Sequence, residues 1–302
     1  MRLVVAVFLV AAAGAAGAAP TGVYVEDINA KAQPCTDFFE FANGAWRERN
    51  PIPDSMVRWS RRWASGELAK DQLKSILDDV SASRSWPAGS VEQLVGDHYA
   101  ACMDEAAVNA AGLKPVEPLL GEIDAIRDAA GVQRIFVRLH ELNVNDPFGL
   151  NASPDNHRPS QVIADVYASG LSLPDRDYYL KPDARFAEAR EKLKEHVAAT
   201  FRLAGYGPAD AKAAALAVFD QEKSLAEASL GRVERRDPKA TDHRTTFAEL
   251  TKIAPRLDWA AYFDAMGVPR KDLNVREPRY MAEIDRQLAE VPVATWKHYL
   301  KW

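Results

Sequence analysis

Apolar residues recur at spacings of three and four from Ser60 to the end of this 302-residue chain, and no other feature constrains the fold as strongly. A chain patterned this way packs helix against helix. Leu73, Ile76, Leu77 and Val80 form one stripe, and Val91, Leu94, Val95, Tyr99 and Cys102 form another. Each stripe needs cover from water, so the two are expected to bury against each other. The same period predicts helices over 116–129, 132–141, 184–204 and 208–230, the last rich in strongly helix-forming Ala. Pro278 and Pro292 stand where a first helical turn tolerates proline, and open helices reaching Ala289 and Trp302. The exception lies between Asn143 and Tyr167. There the apolar runs 148–150 and 162–167 flank the turn-rich stretch 153–160, which reads as one short β-hairpin. No repeat and no low-complexity linker divides the chain, so the pattern describes one mainly α, multi-helix unit.

The first residues belong to a different logic. Arg2 precedes an apolar run to Ala13 and a small-residue stretch to Ala19, the layout of a secretory signal peptide. Ala16, Gly17 and Ala18 place cleavage after Ala18, because a cut one residue later leaves Pro20 as the first residue. Residues 1–18 are therefore read as the signal and 19–302 as the mature domain, exported to the periplasm or secreted. A membrane anchor needs about 20 predominantly apolar residues, and this run is shorter. Membrane contact is expected only if the segment stays uncleaved.

Charge and donor arithmetic narrow the chemistry. Thirty-eight basic residues against 43 acidic ones leave a net charge of −5, so no basic field holds a phosphate backbone and nucleic acid is not an expected partner. Two cysteines, Cys35 and Cys102, are too few for a disulfide scaffold or a thiolate zinc site. A zinc peptidase helix carries two His four apart with a Glu beside the first, so that both imidazoles face one metal. His140-Glu141 begins that pattern and Val144 ends it, since valine has no lone pair to offer. His140, flanked by Arg138 and Glu141, then reads as a helix-surface or interface residue. His98 and Cys102 offer two donors on one helix face with no third in view, and His157, His196, His243 and His298 are isolated. There is no Gly-x-Ser-x-Gly turn, phosphate-binding loop or dinucleotide glycine pattern. No catalytic residue, metal ligand or cofactor is assigned to this chain.

Phe38, Phe39, Phe41 and Trp46 place four aromatics within nine residues, followed by Asn50-Pro51-Ile52-Pro53 and Arg58-Trp59. Aromatics this dense need a partner surface, or else form a core staple around which Pro51 and Pro53 turn the chain. This region, with Pro34-Cys35-Thr36-Asp37 before it, resembles the N-terminal part of the neprilysin and endothelin-converting-enzyme family of zinc metallopeptidases. Later segments agree in order: Tyr99-Ala100-Ala101-Cys102-Met103-Asp104, the run from Gly170 to Leu180, Asp258-Trp259-Ala260-Ala261-Tyr262-Phe263, and Trp296-Lys297-His298-Tyr299-Leu300. The resemblance spans nearly the whole mature chain.

It implies the fold of a neprilysin-like N-terminal helical domain, which in the full-length family covers a thermolysin-like C-terminal portion bearing the His-Glu-x-x-His helix and the zinc. The 302 residues contain no such motif. The implied function is that of the substrate-restricting portion of a metalloendopeptidase, inactive in peptide hydrolysis by itself. Its partners are then peptides and the catalytic portion. A stand-alone, non-catalytic peptide-binding module is the alternative. The resemblance also gives Arg58 the position of the basic residue that binds a substrate carboxylate, although Ser60, Arg62, Trp63 and Ser65 depart from the family's continuation, as does Asp242 from a usual Tyr. By the same resemblance Cys35 and Cys102 correspond to cysteines that pair with C-terminal partners, so no Cys35–Cys102 bridge is expected, although an export signal with two cysteines otherwise suggests one.

Overall fold

The computed structural model describes residues 24–302 except Val57, Arg84 and Asn145. The expected signal segment lies outside these residues. Where the periodicity describes a single unit, contacts divide the chain into two compact units, one ending at Val108 and one running from Asn109 to Trp302. Among the described residues no helix is long and apolar enough to cross a membrane.

In the first unit α1 (Phe38–Arg49) starts where the Asp37 carboxylate accepts a hydrogen bond from the Glu40 amide at 2.8 Å. A buried Asp27 gathers Arg49, at 2.9 Å, and Arg61 from the start of α2 (Arg61–Ala82), and the two guanidiniums hold its carboxyl below the usual range. Arg61 also lies over the Tyr24 ring, 3.8 Å from its centre. α2 then meets α3 (Val91–Met103), which starts at a Ser90 cap. The helices approach so closely at Gly96 that a Cβ there would stand 2.5 Å from the Val80 carbonyl oxygen. α4 (Glu105–Ala111) follows.

The two predicted stripes do not bury each other. Leu77, Val80 and Tyr99 are half-buried, whereas Leu73, Ile76, Val91, Leu94, Val95 and Cys102 are exposed, and α2 has no buried residue at all. Two helices touch along a line, and a stripe wider than that line needs a third element. Cys35 and Cys102 are both exposed, free cysteines.

The second unit holds the core. α5 (Glu117–Asp124) ends before the predicted 116–129 helix does, and α6 (Ala129–Glu141) starts ahead of the predicted 132–141 one, because Asp128 caps α6 through the Gly131 amide at 2.8 Å. The hairpin is present as β1 (Phe148–Asp155) and β2 (Arg158–Ala168), with longer strands than the sequence suggested. After α7 (Arg176–Leu180), α8 (Ala184–Leu203), α9 (Pro208–Ala228) and the short α10 (Pro238–Thr241) comes β3 (Arg244–Thr245). α11 (Phe247–Ile253) and α12 (Trp259–Ala265) lead to β4 (Leu273–Val275), and α13 (Pro278–Glu290) and α14 (Val293–Lys301) end the chain.

β4 runs parallel to β2 and antiparallel to β3, extending the hairpin to a four-stranded sheet of order β1-β2-β4-β3. Polar groups fix this register. Asn274 donates to the buried Asp165 at 2.9 Å and accepts from the His243 amide at 2.7 Å, while Arg276 donates to the other Asp165 oxygen at 2.7 Å. Around the sheet Phe136 packs edge-on against Phe148 and Trp296, with ring centres 5.8 and 5.6 Å away. Trp259, Phe263, Tyr280 and Ile284 complete the dry centre.

Candidate functional site

The run from Gly170 to Leu180 that carries so much of the resemblance is an anchor built from backbone geometry outward. Gly170 has φ +78°, and a Cβ there would meet the Tyr299 hydroxyl and stand 2.8 Å from Pro147 Cα. That bare backbone lets the Tyr299 hydroxyl donate to the Gly170 carbonyl at 3.0 Å, while Tyr280 donates to the Ser169 carbonyl. Beyond the turn, Asp175 caps α7 through the Asp177 amide at 2.8 Å, and Arg176 donates to the Ser229 carbonyl at 2.6 Å.

A buried carboxylate draws these segments together. Glu222 of α9 accepts from the Ser172 hydroxyl at 2.6 Å, the Ser172 amide at 3.2 Å and the Tyr179 hydroxyl at 2.5 Å. The Trp302 indole donates to the Ser172 hydroxyl at 2.8 Å. Burial raises the Glu222 carboxyl above its usual range despite these donors, and raises the Tyr179 phenol with it.

Of the two places open to His140, the helix surface or an interface, the structure gives the interface, against α12 and the loop before β1. Its side chain is 10% exposed and joins a chain of three groups. Nε2 lies 2.9 Å from Asp146 Oδ1 and 2.8 Å from the Phe148 carbonyl, and Nδ1 lies 2.6 Å from the Tyr262 hydroxyl. Burial disfavours the imidazolium, but the hydrogen bond and charge of Asp146 outweigh it and raise His140. Burial pushes the fully enclosed Asp146 carboxyl up to about 6 against the lowering pull of His140. Sequence reasoning missed this group because its members are 122 positions apart at the extreme, in α6, the loop before β1, and α12. The signal available was a His in the last turn of a strongly periodic helix, where one neighbour in the fold decides its role.

Arg58, the one residue assigned a substrate contact, is exposed. Its guanidinium carbon sits 4.9 Å from the Trp63 ring centre, and Trp63 lies in the first turn of α2, whose Ser60 cap accepts from the Trp63 amide at 3.4 Å. Among the described residues Arg58 has no ion-pair partner.

Of the remaining histidines, His98 lies 4.0 Å from the Cys102 sulfur, His157 pairs with Asp242 at 3.0 Å, and His196 packs edge-on against Trp302. His298 is lowered by burial and then by Lys301. Among the described residues no group of three His, Cys, Asp or Glu side chains could hold a metal ion.

Comparison with known proteins places these features in a family. The model of the family described as Peptidase family M13 matches residues 34–302. The chain is 25% identical over 303 residues to endothelin-converting enzyme 1 of Rattus norvegicus, which covers 93% of this chain and 38% of that protein. The human endothelin-converting enzyme 1 is likewise 25% identical, with the same coverage. The crystal structure of the Mycobacterium tuberculosis zinc metalloprotease Zmp1 with an inhibitor superimposes with a TM-score of 0.82 at 28% identity, over 94% of this chain and 43% of that one. PepO from Lactobacillus rhamnosis shares the fold, with a TM-score of 0.73 at 18% identity. The chain thus spans about two-fifths of the length of these relatives.

Proposed function

From the premise that the chain belongs to peptidase family M13, as a neprilysin-like N-terminal domain, we propose that it encloses and selects peptides for a zinc-bearing catalytic portion. The observation that carries this reading is the uncovered apolar surface of the first unit. Phe38, Phe39, Leu73, Ile76, Val91 and Leu94 are each at least 57% exposed. Water tolerates single residues of this kind, but a set drawn from three consecutive helices marks a contact surface. The proposed occupant is an M13 catalytic portion, a reading supported by the chain's spanning about two-fifths of the length of its relatives.

Zinc is the metal of that family's chemistry, and it would polarise the scissile carbonyl and activate water. The donor set of this chain does not fit it. The 302 residues contain no His-Glu-x-x-His sequence, and the described residues bring no three donors together. No hydrolytic step is therefore assigned to its side chains, and the chain alone is proposed to be inactive. What its residues supply is binding. Arg58, its guanidinium carbon 4.9 Å from the Trp63 ring centre and without an ion-pair partner among the described residues, is proposed to grip the terminal carboxylate of a peptide as a two-pronged donor. The domain is proposed to work outside the cytoplasm, a reading supported by the signal-like residues 1–18.

Two measurements test this. The purified chain supplied with zinc is expected to leave peptides intact, and to support their cleavage once an M13 catalytic portion is added; chelator-sensitive cleavage by the chain alone overturns the reading. Arg58→Ala is expected to weaken binding of a peptide with a free terminal carboxylate about tenfold and to leave its amidated twin unaffected. Equal loss for both peptides removes Arg58 from the site.

A further inference from the structure

A pocket of about 260 Å³ lies in the second unit, between the hairpin and the segment that leads into β3. Three guanidiniums line it. Arg235 and Arg236 come from a single 3₁₀ turn, Glu234–Arg236, and Arg276 from the residue after β4. Like charges gathered on so small a lining repel one another unless each meets a counter-charge.

Two carboxylates share the lining, and both are engaged. Asp165 is 2% exposed and accepts from Arg276 at 2.7 Å, Asn274 at 2.9 Å and Ser153 at 3.3 Å. Asp242 pairs with His157 at 3.0 Å. Arg235 is met at 3.3 Å by Glu277, from outside the lining. Arg236 is the charge left over. It is exposed, and among the described residues it has neither an ion-pair nor a hydrogen-bond partner.

The other two arginines also hold donors in reserve. Arg276 gives Nε and Nη2 to Asp165 and keeps Nη1, while Arg235 turns Nε to Glu277 and keeps its terminal nitrogens. Their side chains are 44% and 34% exposed, so both stand open to a solute. We propose that this pocket binds the phosphate group of a small polar anion, held by Arg236 together with Arg235 and Arg276. A carboxylate accepts hydrogen bonds in one plane, whereas phosphate oxygens accept from several directions, which suits forks carried on two separate segments. The whole chain carries a net charge of −5, so this is a local site rather than a field that draws anions in general. The space left beside one phosphate admits a small polar body near Asn156 and Thr241. Inorganic phosphate and a phosphate monoester share this chemistry. The site goes beyond the peptidase reading and does not depend on it.

Calorimetric titration of the purified chain at pH 7.5 in chloride buffer tests it with inorganic phosphate, glycerol 3-phosphate and acetate. Both phosphates are expected to bind with Kd below about 1 mM, the worth of a few charge-assisted hydrogen bonds, and acetate about tenfold more weakly or less still. Arg236→Ala is expected to weaken phosphate binding about tenfold to hundredfold. Arg134→Ala, which removes an exposed arginine of α6, is expected to leave it unchanged. A tighter hold on glycerol 3-phosphate supports an ester as the ligand, and equal affinity supports free phosphate. No binding of either phosphate, acetate bound as tightly as phosphate, a folded Arg236→Ala chain with unchanged affinity, or equal losses in the two variants overturns the proposal. Should Arg236→Ala not fold, the wild-type chain decides. Phosphate is then expected to shield Arg236, and not Arg134, from phenylglyoxal in peptide mass spectrometry, and equal modification of Arg236 with and without phosphate refutes the site.

Discussion

Two helix pairs of similar length meet opposite fates in this molecule. α2, with 22 residues, and its neighbour α3 leave most of their apolar side chains in water, and α2 buries none. α9, with 21 residues, packs on α8 and buries ten residues between Ala211 and Ala228, eight of them apolar. Their sequences do not differ in kind, since both carry apolar residues at helical spacing. What differs is company. α9 is also packed by α7, α13 and α14, whereas among the described residues α3 alone packs extensively along α2. A stripe states where burial can occur, and the number of neighbours decides whether it does.

The largest effect should appear when a side chain is removed from each pair's surroundings. Phe136→Ala, beneath α14, is expected to cost about 3–5 kcal/mol in urea unfolding, whereas Ile76→Ala on α2 should stay within about 0.5 kcal/mol. A loss at Ile76 as large as that at Phe136 would break the contrast. Glycines sharpen it next. Gly170→Ala introduces a side chain at positive φ against Tyr299 and Pro147 and should cost on the order of 3 kcal/mol. Gly96→Ala should cost about 1–2 kcal/mol, because α3 can move off Val80, and amide exchange in α3 should rise accordingly.

The smallest effect is one of pH. Folding raises both Asp146 and His140, so the native chain binds more protons than the unfolded one across this range. Their contribution to stability is complete below about pH 4, where both groups are protonated in either state. It is lost as pH rises through about 6 for Asp146 and then through the raised value of His140. Asp146→Asn should flatten the acid part of this slope, by on the order of 1 kcal/mol, in melts of the second unit. A slope unchanged by the substitution separates the pair from the pH response.

Much of this was legible in the chain. The helices at 184–204, 208–230 and 278–289 lie within two residues of their observed ends, because long periodic segments with proline or glycine at their borders leave little choice. β4 was not, because three residues cannot display a period, and its pairing rests on Asp165, 109 positions away from Asn274. The buried trio of His140, Asp146 and Tyr262 was hidden for the same reason. The Gly170–Leu180 motif pointed to the right family, yet its residues are spent on holding helices together, and the polar groups a reader would assign to chemistry serve as joints.

The arrangement at Glu222 carries a consequence for how the chain comes together in time. Ser172 and Trp302 are 130 positions apart, yet both must be present before this corner closes. During synthesis the hairpin, α7 and α9 can form while the carboxylate waits in water, ionised and hydrated. Only when Trp302 has emerged can the ring of donors become complete, so the closing of this corner is a long-range event in assembly.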